Sequence, residues 1–189
     1  MPNVGPPSLP PIGRVVIHPH PKPPVKSPAP TKVGCHALAA GQAPGMSFSS
    51  WLSGASTAEL MTSQWALGVG PTTTTFGPDS VQSQQMMRAY GLASNVSSYL
   101  SAGRAFGRTD FGLRGLWSSG MNPTAQFVGS YAYNMSRNNG NLNITIINRT
   151  TMWSAFYHPP FVDSNPPTRA GWSPMGAVNQ MFYITVPCR

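Results

Sequence analysis

Acidic residues are scarce in this chain. Only four of its 189 residues are Asp or Glu, and charged residues of both signs make up 8% of the total. The four acids lie far apart along the sequence, so no spacing suggests the carboxylate pair that glycoside hydrolysis requires. The sequence also contains no Gly-x-Ser-x-Gly elbow, no Walker loop and no His-Glu-x-x-His motif. We therefore expect neither a cofactor nor a metal site.

Cysteine is equally rare, with only Cys35 and Cys188 present. No Cys-x-x-Cys pair occurs, so neither a zinc site nor a thiol redox motif is predicted. The two cysteines bracket the part of the chain that looks globular, and the ends of domains often lie close together. A disulfide between them would close a long loop and contribute about 4 kcal/mol in the chain-entropy description. We predict this disulfide, and two unrelated buried thiols are the alternative.

Long apolar stretches are also missing. No run reaches the 18 or so residues that a transmembrane helix needs, so no membrane span is predicted. The N-terminus lacks the apolar segment of a standard signal peptide. A protein of this kind that acts outside the producing cell would have to leave it by another route.

Proline is plentiful but unevenly placed, since about half of the 21 prolines precede residue 32. Proline lacks an N–H donor and is excluded from helix interiors and central strands. Residues 1–33 are therefore predicted to form a disordered, polyproline-II-like arm or linker. Residues 34–189 are predicted to form a single globular domain.

The few charges that the chain carries are mostly positive. The net charge is +8 and the sequence pI is about 10.1. A basic chain is attracted to nucleic acid, to anionic surfaces and to acidic proteins. No run of Lys or Arg supports nucleic acid in particular, so an unspecialised basic surface is the alternative.

The clearest structural signal is a β-hairpin. Residues 127–136 (FVGSYAYNMS) and residues 142–146 alternate apolar and polar positions on either side of Asn139-Gly140. An Asn-Gly pair between alternating runs is typical of a type I′ hairpin turn. We therefore predict a hairpin over residues 127–147, followed by a closing strand at 177–186 that pairs back against it.

Helices are predicted ahead of this sheet. Apolar spacing indicates helices over residues 57–67 and 92–102. Asp79, with Gln82 three residues later, is typical of a capping box that begins another helix. The threonine run within 70–78 fits either a loop or an edge strand. Helices followed by strands favour an α+β fold, with short N-terminal helices and a mainly antiparallel β-sheet.

The best polar cluster lies in the glycine-rich segment 103–120 and consists of Arg104, Arg108, Asp110 and Arg114. Guanidinium groups near a carboxylate can hold a phosphate or another acidic group, and glycines let a ligand approach the backbone. His158 follows a strand-like run and is, with Asp110, the candidate catalytic residue. The structural alternative is that Asp110 pairs with one arginine and that His158 is hydrogen-bonded at a strand end.

Three tryptophans bear on the same question. Trp117, Trp153 and Trp172 can stack on sugars or bases, or they can pack in the core. The residue types alone favour packing.

Several stretches together resemble a known family. They are 127–131 (FVGSY) with the hairpin, 148–158 (NRTTMWSAFYH) before a proline-rich loop, Gly176 and 179–182 (NQMF), and, upstream, 76–80 (FGPDS), 85–87 (QMM) and 111–117 (FGLRGLW). Over roughly residues 45–188 the chain is similar to the C-terminal tail domains of bacterial Rhs/YD-repeat proteins. The resemblance implies a polymorphic effector or toxin-type tail, delivered by an Rhs-type shell or secretion machinery. It carries over no catalytic residue.

Two classes of function follow. The first is a secreted or delivered effector, either binding an anionic ligand or acting as an enzyme through residues 104–114 and His158. The second is a non-enzymatic extracellular or particle-associated β-rich binding module that uses aromatic and arginine side chains. Both classes place the protein outside the cell that makes it.

Overall fold

The computed structural model describes residues 33–110, 121–151 and 166–188. Five helices lie in these ranges: α1 (Cys35–Ala39), α2 (Phe48–Leu67), α3 (Val81–Met86), α4 (Leu92–Ala102) and α5 (Pro123–Val128). Five strands accompany them: β1 (Thr73–Phe76), β2 (Phe106–Thr109), β3 (Tyr131–Asn138), β4 (Asn141–Thr150) and β5 (Val178–Pro187). The prediction of an α+β fold is confirmed. The helices and strands alternate more than predicted, because β1 and β2 precede the hairpin.

The five strands form one mixed sheet in the order β1-β5-β4-β3-β2. Three of the four pairings are antiparallel, and β1 alone runs parallel to its neighbour β5. The predicted closing strand is confirmed as β5, which pairs with hairpin strand β4 along its whole length. The threonine run contains edge strand β1, where the Phe76 ring stacks on that of Phe182 with centroids 4.9 Å apart.

The predicted hairpin turn is confirmed, but the first strand begins later than predicted. Asn139 and Gly140 have φ values of 50° and 73°, as a type I′ turn requires. Phe127, however, belongs to helix α5 and not to the strand. Helix α5 begins with Pro123, and the side chain of Asn122 caps it by accepting a 3.1 Å hydrogen bond from the Ala125 N–H. This local capping prevails over the period-two pattern, as Pro at the first helical position favours.

Two other helix starts also differ from prediction. Helix α2 spans 20 residues, and not only residues 57–67, because Ser47 caps it by accepting a bond from the Ser50 N–H. Helix α3 is capped by Ser80 and not by Asp79, since the Ser80 hydroxyl accepts a 3.1 Å bond from the Ser83 N–H. Helix α4 has the predicted bounds.

The core lies between the helices and one face of the sheet, here called the inner face. Strands β3, β4 and β5 bury alternate residues, as the sequence pattern predicts. Leu142, Ile146 and Phe182 on this face are fully buried, as are Leu92 and Val96 on helix α4. Burying one such side chain contributes roughly 1.5–3 kcal/mol, so this layer is the main source of stability. The opposite, outer face carries the exposed half of the alternation.

Gln85 joins three helices through a buried amide. Its Nε2 donates a 2.7 Å hydrogen bond to the Ser50 carbonyl, and its Oε1 accepts one from the Thr124 hydroxyl. The backbone carbonyl of Gln85 accepts a 2.7 Å bond from Asn122 Nδ2. Gly54 on α2 leaves the space that the amide fills. Satisfied buried polar groups of this kind fix one arrangement of the helices.

The predicted disulfide is confirmed. Cys35 at the start of α1 is bonded to Cys188 after β5, with Cα atoms 5.0 Å apart. Val33, the last residue of the predicted arm, already packs against the core. In the described part of the chain, no helix combines the length and the apolarity needed to cross a membrane.

Candidate functional site

The candidate site lies at β2, an edge strand of the sheet. Phe106 and Arg108 are in register with Asn134 and Ala132 of β3, two exposed positions of the outer face. Arg104 stands two residues before Phe106 and continues the same alternation. Phe106 is 76% exposed, and both arginines are exposed. An arginine, an aromatic ring and a second arginine therefore follow one another along this edge of the sheet, which we call the β2 edge.

An open depression of about 610 Å³ adjoins the β2 edge. It lies between helix α4 and strand β2. Its lining includes Asn95, Arg104, Phe106, Gly107, Arg108 and Tyr133. Gly107 has no side chain, so the β2 backbone lies directly against the Tyr133 hydroxyl. The depression therefore combines two cations, an aromatic ring and accessible backbone, the groups that bind an anionic ligand with an aromatic part.

The two arginines of the β2 edge are in different electrostatic surroundings. Arg108 Nε lies 3.1 Å from Asp110 Oδ1, and the two side chains are 71% and 83% exposed. Such exposed pairs contribute under about 1 kcal/mol and yield readily to a competing anion. Arg104 has no acidic partner among the described residues. The pairing of Asp110 with one arginine, which was the structural alternative to a ligand site, is thus present for Arg108, and Arg104 lies outside it.

Other arginines in the described ranges hold loops in place. They do so by donating hydrogen bonds to backbone carbonyls: Arg88 to Pro44, Arg137 to Cys188, Arg149 to Pro166, and Arg169 to both Val69 and Gly70. The planar guanidinium, with several donors, suits this role better than an ammonium group does. Arg104 and Arg108 make no such contact within the described residues, which separates them from the arginines that support the fold.

A partly buried polar network beneath β2 holds the edge against helix α4. Asn95 Nδ2 donates a 2.8 Å hydrogen bond to the Thr109 hydroxyl, and the Tyr131 hydroxyl donates a 2.8 Å bond to the Tyr90 carbonyl. Burial raises the pKa of Tyr131 from 10.0 to about 12, although hydrogen bonds with Thr109 and Asn95 oppose the rise. Tyr131 is therefore neutral at ordinary pH and serves to position β2.

Arg114 and His158 lie outside the described residues, as do Trp117 and Trp153. Whether they join the β2 edge therefore stays a prediction. Trp172 is described, and its 76% exposure rules out the core-packing role that its residue type favours.

A group with metal-ligand chemistry lies at the disulfide. One ligand atom each from Cys35, His36 and Cys188 lies within 4.8 Å of the others. The two sulfur atoms are bonded to each other, so neither is a thiolate that could ligate zinc. While the disulfide is intact, this group acts as a covalent cross-link. A disulfide is compatible with an extracellular protein, because such bonds persist in oxidising surroundings.

Two surface features escaped prediction. The first is Phe106, although its place between Arg104 and Arg108 at period two is visible in the sequence. The second feature is an apolar patch at the start of α2, where the exposed Phe48 ring stacks on Trp51 and adjoins the exposed Met121. The sequence alone does not reveal this patch, because Met121 reaches it only in the folded chain, where Trp51 Nε1 donates a hydrogen bond to the Met121 carbonyl.

Comparison of the chain with protein-family models, with curated proteins and with solved structures finds no match.

Proposed function

We propose that this chain is an effector-type tail domain of an Rhs-like system, which works outside the producing cell by binding an anionic ligand at the β2 edge. The observation that carries the binding role is the contrast among the arginines. Arg88, Arg137, Arg149 and Arg169 donate hydrogen bonds to backbone carbonyls, whereas Arg104 and Arg108 line an open depression. The net charge of +8 attracts anions to the whole surface, and the β2 edge provides the specific contacts.

A delivered domain must also survive outside the cell. The disulfide between Cys35 and Cys188 ties the two ends of the folded part together, which supports this placement. The resemblance to Rhs tail domains supplies the route in this proposal, with an Rhs-type shell or secretion machinery as the delivery partner.

The binding role is tested with inorganic polyphosphate as the probe, by calorimetric titration at low salt. We expect Arg104→Gln with Arg108→Gln to reduce the affinity at least tenfold, because charge-assisted hydrogen bonds to phosphate are lost. The matched control is Arg88→Gln with Arg137→Gln, which removes the same charge from exposed arginines elsewhere. Because these two arginines also hold loops in place, both double variants are titrated at a temperature at which circular dichroism shows them folded. If both double variants lost the same affinity for polyphosphate, the binding would be a general effect of net charge, and a specific site would be refuted.

The effector role is tested by expressing the domain inside a susceptible cell. We expect an active effector to arrest growth. If alanine at Arg108, Arg114 or His158 abolishes the arrest while the variant stays folded, the result supports this role and a place for that residue in the site. Harmless high expression of the folded, oxidised domain would favour the alternative, a non-enzymatic extracellular or particle-associated binding module. In that case the polyphosphate titration still tests the β2 edge on its own.

A further inference from the structure

We infer that the ligand of the β2 edge is single-stranded nucleic acid, which lies across the outer face of the sheet from Phe106 to Tyr183. This inference rests on the anion binding proposed above and specifies the chemistry of the anion. Nucleic acid is the class of anion that offers both phosphates and flat bases. The outer face provides groups for each.

The first observation is a row of residues that crosses four strands. Phe106 on β2 is in register with Asn134 on β3, Asn134 with Thr145 on β4, and Thr145 with Tyr183 on β5. Neighbouring strands lie about 4.8 Å apart, so Phe106 and Tyr183 stand roughly 14 Å from each other. Their rings are 76% and 37% exposed. Two aromatic rings therefore flank a short polar stretch on the outer face of the sheet.

The second observation is the chemistry around this row. Asn134 and Thr145 offer side-chain donors and acceptors of the kind that contact base edges or sugars. The adjacent row includes Ile147, which is 41% exposed, and Met181, and it gives the bases an apolar floor. No acidic residue belongs to the described strands β1 to β5. Asp110, the residue after β2, is paired with Arg108, which offsets its charge at that end of the path. Arg104 and Arg108 stand at one end of the path, where they can contact the backbone.

Single strands fit this surface better than a duplex does. In a duplex the bases stack on one another, and their faces are hidden from Phe106 and Tyr183. A single strand exposes those faces, and stacking on aromatic side chains is the usual source of its binding. Duplex binding relies instead on many phosphate contacts, and the β2 edge supplies two arginines for that purpose.

The test measures fluorescence anisotropy of labelled dT12, rU12 and a 12-base-pair duplex at low salt, with polyphosphate as competitor. Base stacking on one aromatic residue is worth about 1–3 kcal/mol, so we expect Phe106→Ala and Tyr183→Ala each to weaken dT12 binding roughly 5- to 150-fold. Phe106→Leu and Tyr183→Leu, which keep apolar bulk on the strands, are expected to weaken it as well. The affinities for dT12 and rU12 distinguish DNA from RNA as the natural source.

Phe48→Ala is the matched control, because Phe48 is 77% exposed and lies on helix α2, away from the strands. It is expected to leave dT12 binding unchanged. The protein could bind polyphosphate while all four Phe106 and Tyr183 variants bind dT12 as tightly as the natural protein does. That result would overturn the nucleic-acid inference but would not contradict the anion site. A duplex bound as tightly as dT12 would overturn it too. If the protein bound no polyanion, both the anion site and the nucleic-acid inference would be refuted.

Discussion

Gly107 on β2 lies against the phenol group of Tyr133 on β3: a Cβ added to Gly107 would stand 2.6 Å from Tyr133 Oη. The two residues are also in register across the antiparallel pair. Tyr133 is buried, and its ring occupies the space that a side chain on Gly107 would need. This close approach keeps β2 packed directly against β3. Arg104, Phe106 and Arg108 therefore follow one another along the edge of the sheet.

Gly107→Ala is therefore expected to destabilise the domain. The added methyl group must displace the Tyr133 ring, and overpacking of this kind costs about 1–3 kcal/mol. The free energy of unfolding in urea is the measurement. Gly77→Ala is the matched control, because nothing lies within 4 Å of a Cβ at that position and its φ is not positive. A Gly107→Ala protein as stable as the control would mean that Tyr133 moves aside freely.

Reduction of the disulfide is expected to lower stability substantially. The bond joins residues 153 positions apart, and closing a loop of that length contributes about 4–5 kcal/mol in the chain-entropy description. Thermal unfolding with and without a dithiol reductant should show a large drop in Tm for the natural protein. The variant with Cys35→Ser and Cys188→Ser should melt at the lower temperature in both buffers. Equal Tm values for the oxidised and reduced natural protein would contradict the expectation.

Alkaline pH is expected to weaken the fold through Tyr131. Burial raises the pKa of this phenol from 10.0 to about 12, so the folded state retains a proton that the unfolded state loses. The stabilisation is complete below pH 10 and is lost as the pH rises towards 12, by about 2–3 kcal/mol in total. Urea unfolding at several pH values between 9 and 11.5 measures the loss. Tyr131→Phe should flatten this dependence, and an unchanged slope in that variant would assign the effect to other groups.

Removal of residues 1–32 is expected to leave the melting temperature of the domain unchanged. The segment is rich in proline and poor in large apolar residues, so burial cannot offset an ordering cost of about 1–2 kcal/mol per residue. Val33 is retained because it packs against the core. A shortened protein that melts many degrees lower would indicate that the removed segment packs on the domain.

The elements that sequence reasoning placed correctly are those whose signals are local. The turn at Asn139-Gly140 follows from two residues that tolerate positive φ, and helix α4 follows from its own apolar spacing. Strands β1 (TTTF) and β2 (FGRT) contain only four residues each. Their pairing depends on partners far along the chain, so no local pattern could identify both.

The residues of the candidate site also divide into those that local sequence predicts and those that only the fold reveals. Arg104 and Arg108 were predicted from residue type within a glycine-rich segment, and they do lie together at one edge of the sheet. The contribution of Phe106 depends on its register with Asn134, which only the sheet reveals. The distinction between these arginines and Arg169 depends on the tertiary structure, because it depends on which backbone carbonyls each guanidinium reaches.

The position of β5 constrains when the domain can fold. β5 lies between β1 and β4, and the cysteine that follows it completes the disulfide. While the chain emerges in order from a ribosome or passes through a secretion channel, β1 has no neighbour and the inner face lacks Phe182 and Ile184 until residues 178–188 arrive. A chain that passes N-terminus first through a narrow pore would thus lack these contacts until residues 178–188 have passed. The disulfide between Cys35 and Cys188 could form only after that point.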